Sequence, residues 1–377
     1  MIPEDEEEII HGVPEARVPN ILPEPHLPSA KEVAEHNLTH LPYRSWCPIC
    51  VAAAGREDAH RRGAMDEEGE MVCPTVGYDY AFYGEGAKRL EDASRKDGDV
   101  TVLVIKDYKT GDLWAHTALM KGPSDEWLMR RVVEDIDETG YSDIRLKCDG
   151  EPATKAVQKV VIGMRKAPMT TIPVNPPRYD PLANGNIEKG VQDVSTQHRK
   201  QKLALDNRIG ETLPINHPMM EWSVEHSAFI SSRFALGVNG KSPYERRTGR
   251  RWRGKVVEFG EQVLAKLVKP KPQSKLAQKI SAKFVEATWV GVDRRTGEHR
   301  VITRTGKALR VRTIKRRPLE NRWSKAAVLA VRATPRMPDP DKASAHQDDL
   351  DAKATEAEER MLLSLIHISE PTRPYSI

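Results

Sequence analysis

Strand-like and helix-like segments alternate along residues 75–234, and their order limits the possible folds more than any other feature of the sequence. Three strand-like runs come first, at 75–83, 100–106 and 113–119, and a turn-like segment between the last two predicts a hairpin. A helix, a strand, a helix, a strand and further helices follow, judged by the spacing of their apolar residues. This order predicts an α/β fold in which one sheet carries helices on both faces.

Three acidic residues stand out within this pattern. Asp79 lies in the first strand-like run, and Asp149 follows a short run of alternating apolar residues. Glu188 lies just after an Asn-Gly turn dipeptide, at the start of a predicted helix. Hard cations such as Mg²⁺ require oxygen ligands, and a pair of them can clamp both oxygens of an in-line phosphoryl displacement. The alternative is that these acids are solvated surface charges, because the chain holds 55 Asp and Glu.

Two histidines and two cysteines near the N-terminus have the spacing of metal ligands. The segment 29–63 opens with a Ser-x-x-Glu capping box, which predicts a helix that runs to about His40. His36 and His40 would share one face of that helix, and Cys47 and Cys50 form a Cys-x-x-Cys turn. Tetrahedral Zn²⁺ accepts two imidazoles and two thiolates, so the segment is predicted to bind zinc as a structural cofactor. The alternative is a chance juxtaposition of the two pairs.

A strongly basic region follows the alternating segments. Residues 241–325 contain 25 Lys and Arg against 7 Asp and Glu, a balance that favours contact with phosphates. Short strand-like runs within 241–322, separated by glycines, predict a small β-barrel-like domain. Such a domain would bind DNA backbones with little sequence preference, whereas the alternative is a basic surface that only keeps the domain in solution. The candidate DNA-binding residues here are Arg310, Arg312, Arg316 and Arg317.

The two ends of the chain are predicted to lie outside the folded domains. Residues 1–28 are acidic and rich in proline, which predicts an extended linker. Residues 323–377 are predicted to form a disordered tail, and 364–375 resemble translated sequencing-adapter read-through. The N-terminus lacks the basic start and apolar core of a secretory signal. No run approaches the ~20 apolar residues of a membrane span, so no membrane partner is expected.

The three acids carry a resemblance to a known family. Asp79, Asp149 and Glu188, the last in the form Asn-Gly-x-x-Glu, resemble the Asp-Asp-Glu triad of retroviral-type integrases, and the version in copia-type LTR retrotransposons is the most similar. The resemblance covers roughly residues 31–317. The order of two His before two Cys is similar to that of the family's N-terminal domain, although the gap between the pairs is short here. The run Lys-Ser-Pro-Tyr-Glu at 241–245 is similar to a stretch that follows the family's core.

This resemblance implies a fold and an activity. Residues 72–237 would form an RNase H-like catalytic core, a mixed five-stranded sheet with flanking helices. The activity would be that of a polynucleotidyl transferase that processes DNA 3′ ends and joins them to target DNA, with two Mg²⁺ or Mn²⁺ held by the triad. The helix of Glu188 would lie against the element's own DNA end and bring Lys189 and Gln192 to it, unless these two are only part of a solvated helix face.

The resemblance also implies partners and a location. Element ends and target DNA would be the nucleic-acid partners, and further copies of the chain would complete a homo-oligomer acting in the nucleus. With no protease or reverse-transcriptase motif, the chain is predicted to be a piece of a larger polyprotein. Two other interpretations stay open: a decayed or domesticated integrase-derived protein that binds DNA without catalysis, and an RNase H-like nuclease. The zinc motif and the basic region favour an integrase over the nuclease.

Overall fold

A computed structural model gives the fold and describes residues 26–54, 73–84, 100–175, 184–267 and 282–342. Most of the predicted acidic linker and the adapter-like C-terminal segment lie outside the described residues. No helix within these ranges is long and apolar enough to cross a membrane.

The N-terminal segment contains two short helices, α1 (Ala30–His36) and α2 (Pro48–Ala53). The predicted capping box begins α1. The Ser29 hydroxyl accepts the backbone N–H of Glu32 at 3.3 Å, and the Glu32 carboxylate accepts the backbone N–H of Ser29 at 2.8 Å. These two bonds pair N–H groups that the first helical turn would otherwise leave unsatisfied.

The prediction that this first helix continues to about His40 is wrong. The helix ends at His36, because Thr39 takes the chain out of helical geometry by accepting the N–H of Leu41 on its side chain at 3.2 Å. Pro42 follows and cannot continue a helix. His40 has a left-handed backbone with φ 54°, and among the described residues no other non-glycine residue has a positive φ. His36 and His40 therefore approach each other through a turn.

A mixed five-stranded sheet forms the centre of the fold. Strand β1 (Thr75–Tyr83) pairs antiparallel with β2 (Val100–Asp107), and β2 pairs antiparallel with β3 (Leu113–Ala118). On its other side β1 runs parallel to β4 (Asp143–Lys147), which runs parallel to β5 (Thr170–Val174). The order β3-β2-β1-β4-β5, with these directions, is that of an RNase H-like fold and confirms the predicted fold class.

Side chains of this sheet alternate between two buried faces. Tyr78 and Leu146 lie on the face covered by α3 and α4, whereas Ala81 and Val104 lie on the opposite face, covered by α5 and α6. Each helix presents an apolar stripe to its face, which is why the sheet is buried on both sides. The four helices are α3 (Glu126–Glu138), α4 (Pro152–Met164), α5 (Gly185–Ile209) and α6 (Pro218–Phe234).

A second sheet, antiparallel throughout, follows the short helix α7 (Pro243–Thr248). Its strands are β6 (Gln262–Lys266), β7 (Phe284–Val292), β8 (His299–Thr303), β9 (Ala308–Val311) and β10 (Ile314–Arg316). They pair in the order β10-β6-β7-β8-β9. Trp289 and Val301 are fully buried at its centre and pack against Phe229 of α6, which attaches this sheet to the first one.

The second sheet is strongly curled. Its two edge strands, β9 and β10, are consecutive in the chain and are joined only by Arg312 and Thr313. Such a link spans about 10 Å, whereas the edges of a flat five-stranded sheet lie about 19 Å apart. The sheet must therefore bend its edges toward each other, in agreement with the predicted barrel-like domain.

The tail predicted to be disordered from residue 323 onward is ordered as far as 342, and that part of the prediction is wrong. Helix α8 (Lys325–Leu329) begins this segment, and Val328 and Val331 are buried against α5 and α6. Arg336 then donates two hydrogen bonds to the Asp125 carboxylate, at 2.5 and 2.6 Å. These few tertiary contacts fix the segment in place, although its polar, proline-rich composition, on which the prediction was based, is typical of disordered chains.

Ion pairs also join the second sheet to the core. Arg294, in the turn after β7, donates to Asp112 at 2.9 Å, and Arg247 of α7 donates to the other oxygen of Asp112 at 2.7 Å. Arg247 also donates to Glu138 at 2.8 Å. Burial alone would raise the pKa of Asp112, but Arg294 and Arg247 hold it below its ordinary value. Two guanidinium groups thus compensate a fully buried carboxylate at the junction of the sheets.

Candidate functional site

Asp79 lies on β1, and Asp149 follows the neighbouring parallel strand β4. The register of β1 and β4 pairs Gly77 with Lys147, so Asp79 lies two residues further along β1 and Asp149 two residues beyond the last residue of β4. The charge of Asp149 acts on Asp79, so the two carboxylates lie near each other where the ladder ends. The sequence alone predicts both acids but not this pairing, because the register depends on the packing of the whole sheet.

The Asp79 carboxylate lies on the α5 face of the sheet. Tyr78 is buried on the opposite face, against α3 and α4, so alternation along β1 turns Asp79 toward α5. The first turn of α5 packs on this same face through the buried side chain of Ile187. Asp79 and the start of the helix that carries Glu188 therefore share one face of the sheet.

The surroundings of Asp79 disfavour its charged form. Burial raises the pKa of Asp79 to about 6, and the nearby negative charges of Asp149 and Glu151 act in the same direction. A hydrogen bond from the Tyr80 N–H to Asp79, 2.7 Å long, and the positive charge of Lys121 oppose the rise in pKa. A divalent cation between the two aspartates would relieve this repulsion.

Asp149 is held by the start of α4. The Thr154 hydroxyl donates a short hydrogen bond to Asp149 Oδ1, and the backbone N–H of Glu151 donates to the same oxygen at 3.2 Å. Thr154 is fully buried, so this contact fixes the orientation of the carboxylate, and both hydrogen bonds are made to Oδ1 rather than Oδ2. The sequence did not identify Thr154 as a site residue. Its position in the first turn of the helix that follows Asp149 is the one sequence feature that could have indicated this role.

Glu188 completes the triad less closely. It lies exposed in the first turn of α5, immediately after Ile187. Among the described residues, only the four predicted zinc ligands form a group of three or more His, Cys, Asp or Glu side chains close enough to bind one metal ion. Glu188 therefore does not lie close enough to the two aspartates to share one metal ion with both of them. Lys189 and Gln192, the other candidates on this helix, are also exposed, and Lys189 pairs with Asp193 at 2.7 Å.

The four predicted zinc ligands meet. One ligand atom from each of His36, His40, Cys47 and Cys50 lies within 4.8 Å of the other three, and all four residues are buried. His36 Nε2 lies 3.2 Å from Cys50 Sγ, and His40 Nδ1 lies 3.6 Å from Cys47 Sγ. Zinc bonds of about 2.0–2.3 Å in a tetrahedron place neighbouring ligand atoms about 3.3–3.8 Å apart, so these donors fit Zn²⁺.

The protonation of the two imidazoles also suits a metal. Burial lowers the pKa of His36 to about 4 and that of His40 to about 3, so both rings are neutral at pH 7 and can offer a lone pair. Burial raises the pKa of the Cys50 thiol to about 11, which a bound cation would reverse by stabilising the thiolate. The strained backbone of His40 lies within this cluster, as is common at ligand clamps.

The N-terminal segment is attached to the helix that carries Glu188. Three side chains from the middle of α5 donate to backbone carbonyl oxygens around the cluster, over distances of 2.5, 2.8 and 3.4 Å. Helix α2 packs directly on α5 as well. The bonds run from Gln197 to Thr39, from Arg199 to Ala53 and from Lys200 to His40.

The four candidate arginines of the second sheet fall into two pairs. Arg310 and Arg312 are 62% and 87% exposed, with only peripheral ion pairs to Asp293 and Glu298. Arg316 donates two hydrogen bonds, of 2.7 and 2.6 Å, to the fully buried Glu261. The other arginine, Arg317, pairs with Glu286 at 3.1 Å. The first pair is therefore free to meet a phosphate, whereas the second is engaged inside the domain.

Comparisons with known proteins bear on the fold only. No protein-family model matches the sequence, and no curated protein matches it. A simian T-cell lymphotropic virus intasome in complex with PP2A regulatory subunit B56 gamma is 11% identical, with 66% of this chain and 83% of that chain covered and a TM-score of 0.31. The HTLV-2 integrase catalytic core domain in complex with magnesium is 12% identical in its trimeric form, with 47% of this chain and 98% of that chain covered and a TM-score of 0.33. Its dimeric form is 13% identical, with the same coverage and a TM-score of 0.31. At these scores the fold assignment rests on strand order and direction.

Proposed function

We propose that this chain is a retroviral-type integrase of the copia-like retrotransposon branch, which processes DNA 3′ ends and joins them to target DNA. The observation that carries the proposal is the position of Asp79 on β1 and of Asp149 just after the neighbouring parallel strand β4, with Asp79 on the sheet face covered by the helix of Glu188. Two carboxylates side by side in a partly buried setting suit divalent cations and the charge of a reacting phosphate.

The residues of this site have distinct roles in the proposal. Asp79, Asp149 and Glu188 would hold two Mg²⁺ or Mn²⁺, which supply an activated water or 3′-hydroxyl and neutralise charge at the leaving oxygen. Thr154 keeps the Asp149 carboxylate in a fixed orientation through its short hydrogen bond. Asp79 is partly buried, and electrostatic contacts made in such a setting would be stronger than those in bulk water.

The remaining domains support this activity. The His36, His40, Cys47 and Cys50 cluster would bind structural Zn²⁺ and so hold the N-terminal segment on α5. The exposed arginines of the second sheet would contact the DNA backbone, and the chain would act as a homo-oligomer in the nucleus on element ends and target DNA. Its origin in a retrotransposon polyprotein belongs to the same proposal.

A strand-transfer assay tests the proposed activity. Labelled DNA duplexes and a supercoiled plasmid are incubated with the full chain and Mg²⁺ or Mn²⁺, and joined products are separated on a gel. Asp149→Asn should abolish joining and leave DNA binding within about twofold of the wild type. The matched control is Asp143→Asn, on the exposed first residue of the same strand, which should retain full joining. Joining by Asp149→Asn at the wild-type rate would contradict the proposal.

A second candidate function has one observation in its favour. Glu188 is exposed and is not gathered with the two aspartates, which a DNA-binding protein derived from an integrase without catalysis would also show. In that case the wild-type chain would bind DNA but yield no joined product with either metal, and Asp149→Asn would bind DNA as the wild type does.

A further inference from the structure

A patch of exposed apolar side chains borders the two aspartates. Phe82, near the end of β1, is 50% exposed, and Leu119 and Met120, just after β3, are more than half exposed. Lys121 follows them in the chain. We call these four residues the Phe82 patch. Large apolar side chains seldom cluster on a surface without a binding role.

Lys121 connects this patch to the acidic pair. Its Nζ lies 5.7 Å from the centre of the Tyr80 ring and 6.0 Å from that of Phe82, close enough for cation–π attraction. Lys121 also pairs with Glu151, whose backbone N–H donates to Asp149 at 3.2 Å, so the ammonium group lies close to the acidic pair as well. The loop is fixed to β1, because the backbone N–H of Gly122 donates to the Tyr80 hydroxyl at 3.1 Å.

The current partner of Lys121 can be exchanged. Lys121 forms a close ion pair with Glu151, whose side chain is about half exposed to solvent. Exposed pairs of this kind contribute little to stability, so a phosphate could take the place of the glutamate at small cost. A phosphate bound there would lie beside the two aspartates, where the proposed reaction takes place.

The geometry limits what can occupy the patch. Phe82 projects from the α3 side of β1 and Asp79 from the α5 side, and the two are three residues apart, about 10 Å along the strand. A ligand that reaches both must cross the carboxyl end of β1 past Lys121. An unpaired DNA strand can do so with its backbone on the lysine and a base on the aromatic ring, whereas a paired duplex has no free base face to offer.

We propose that the Phe82 patch binds the unpaired end of the DNA substrate, with a terminal base stacked on Phe82 and an adjacent phosphate on Lys121. The inference rests on the proposed function, because it assigns the DNA end to the Asp79 and Asp149 site. It makes Phe82 and Lys121 substrate-positioning residues of that site and accounts for an aromatic residue left exposed near two partly buried acids.

Two DNA probes test the patch. One is a fluorescein-labelled duplex with three unpaired nucleotides at one end, and the other is the same duplex without unpaired nucleotides, closed at both ends by non-nucleotide linkers. Binding to the full chain is followed by fluorescence anisotropy without added Mg²⁺. Phe82→Ala should weaken binding of the open-ended probe by about 5- to 100-fold, the effect of one lost base stack, and leave the closed probe unchanged. Phe82→Trp should retain tight binding of the open-ended probe.

Matched controls separate the patch from general effects. Ile172→Ala removes a side chain of similar exposure, 47%, from another strand of the same sheet and should alter neither probe. Lys121→Ala should reduce the salt dependence of open-ended binding by about 0.7 in log–log slope. Arg130→Ala removes the same charge from the outside of α3 and should leave the slope unchanged.

Two results would overturn the inference. One is that Phe82→Ala binds both probes as the wild type does, as expected if the patch meets another protein; the other is that it weakens both probes equally. The proposed function is judged separately, by the loss of joining in Asp149→Asn. If Phe82→Ala binds both probes normally and Asp149→Asn loses joining, the proposed role of the Phe82 patch is wrong and the proposed integrase function stands. If Phe82→Ala weakens only the open-ended probe but the wild-type chain joins no DNA, the Phe82 patch stands as a DNA-binding surface and the proposed integrase function is wrong.

Discussion

The buried histidine His116 offers a sharp test of how the core is joined to the second sheet. Its Nε2 lies 2.5 Å from Asp135 of α3, and its Nδ1 lies 2.9 Å from Glu225 of α6. Both ring nitrogens face carboxylates, so both must donate and the ring is an imidazolium. Glu225 is bound in turn by Arg300 of β8, at 2.5 Å. The chain of contacts therefore runs from the first sheet to the second.

The loss of stability on replacing His116 by Gln depends on which hydrogen-bond partners each of the two carboxylates retains. Glu225 retains Arg300, whereas Asp135, which is buried, loses the only side chain that donates a hydrogen bond to it in the described structure. Removing one partner of a buried ion pair costs about 3–5 kcal/mol. With an unfolding entropy of about 2.1 cal/mol/K per residue, each kcal/mol lowers the Tm of a chain of 377 residues by about 1.3 °C, so the predicted drop is about 4–6 °C.

Thermal unfolding of the full chain measures this drop. The double variant His116→Gln with Asp135→Asn should recover part of the loss, because no buried charge is then left uncompensated. His26→Gln, at an exposed histidine near Glu32, should leave Tm unchanged. A loss of less than about 2 °C in His116→Gln, or a double variant less stable than the single one, would refute the assigned ion pairs.

The same pair gives a pH dependence with a definite sign. Burial lowers the pKa of His116, but Asp135 and Glu225 outweigh it and raise the pKa above the ordinary 6.5. The stabilisation is therefore fully present below about pH 6.5 and is lost as the pH rises through the raised value. The nearby carboxylates raise the pKa of Arg131 and Arg294, so these two guanidinium groups keep their charge over this range. The difference in stability between the wild type and His116→Gln should shrink on the alkaline side.

Two other regions give predictions of the same kind. Metal analysis should find one Zn²⁺ per chain, lost in Cys47→Ser and retained in Cys73→Ser, and a full complement in Cys47→Ser would contradict the cluster. Arg310→Ala with Arg312→Ala should lower the salt slope of DNA binding by up to about 1.8 without changing Tm, whereas Arg316→Ala should lower Tm because it leaves the buried Glu261 with the more distant Arg322 guanidinium, 3.8 Å away. Equal salt slopes in the double variant and the wild type would show that these two arginines do not touch DNA.

Strand identity was predictable wherever local sequence decides it. The strand Thr75–Tyr83 has the predicted bounds, and Val100–Asp107 and Leu113–Ala118 differ from their predicted bounds by one residue at the C-terminal end, because β-branched and aromatic residues are frequent in these runs. The His and Cys cluster was predictable for a similar reason, since its four ligands lie within a short stretch. The end of the first helix was not, because the side chain of Thr39 and the strained turn at His40 set it.

Contacts between segments that are distant in the chain could not be predicted from local sequence patterns. The pairing of Asp79 with Asp149 depends on the register of two strands separated by a hairpin and a helix. His116 has the sequence context of an ordinary strand residue, and only tertiary packing brings two carboxylates to it. The order of the segment after residue 323 depends in the same way on Val328 and on the Arg336 contact with Asp125.

The central claim is that Asp79, Asp149 and Glu188 hold catalytic metal, and crystals of the full chain grown with Mn²⁺ test it most directly. Anomalous diffraction at the manganese absorption edge locates the ions independently of any assumption about the site. The account predicts strong peaks between Asp79 and Asp149, about 2.1 Å from their carboxylate oxygens, with the first turn of α5 drawn in so that Glu188 joins them. An absence of manganese between the two aspartates, with the ions found only elsewhere on the chain, would contradict it.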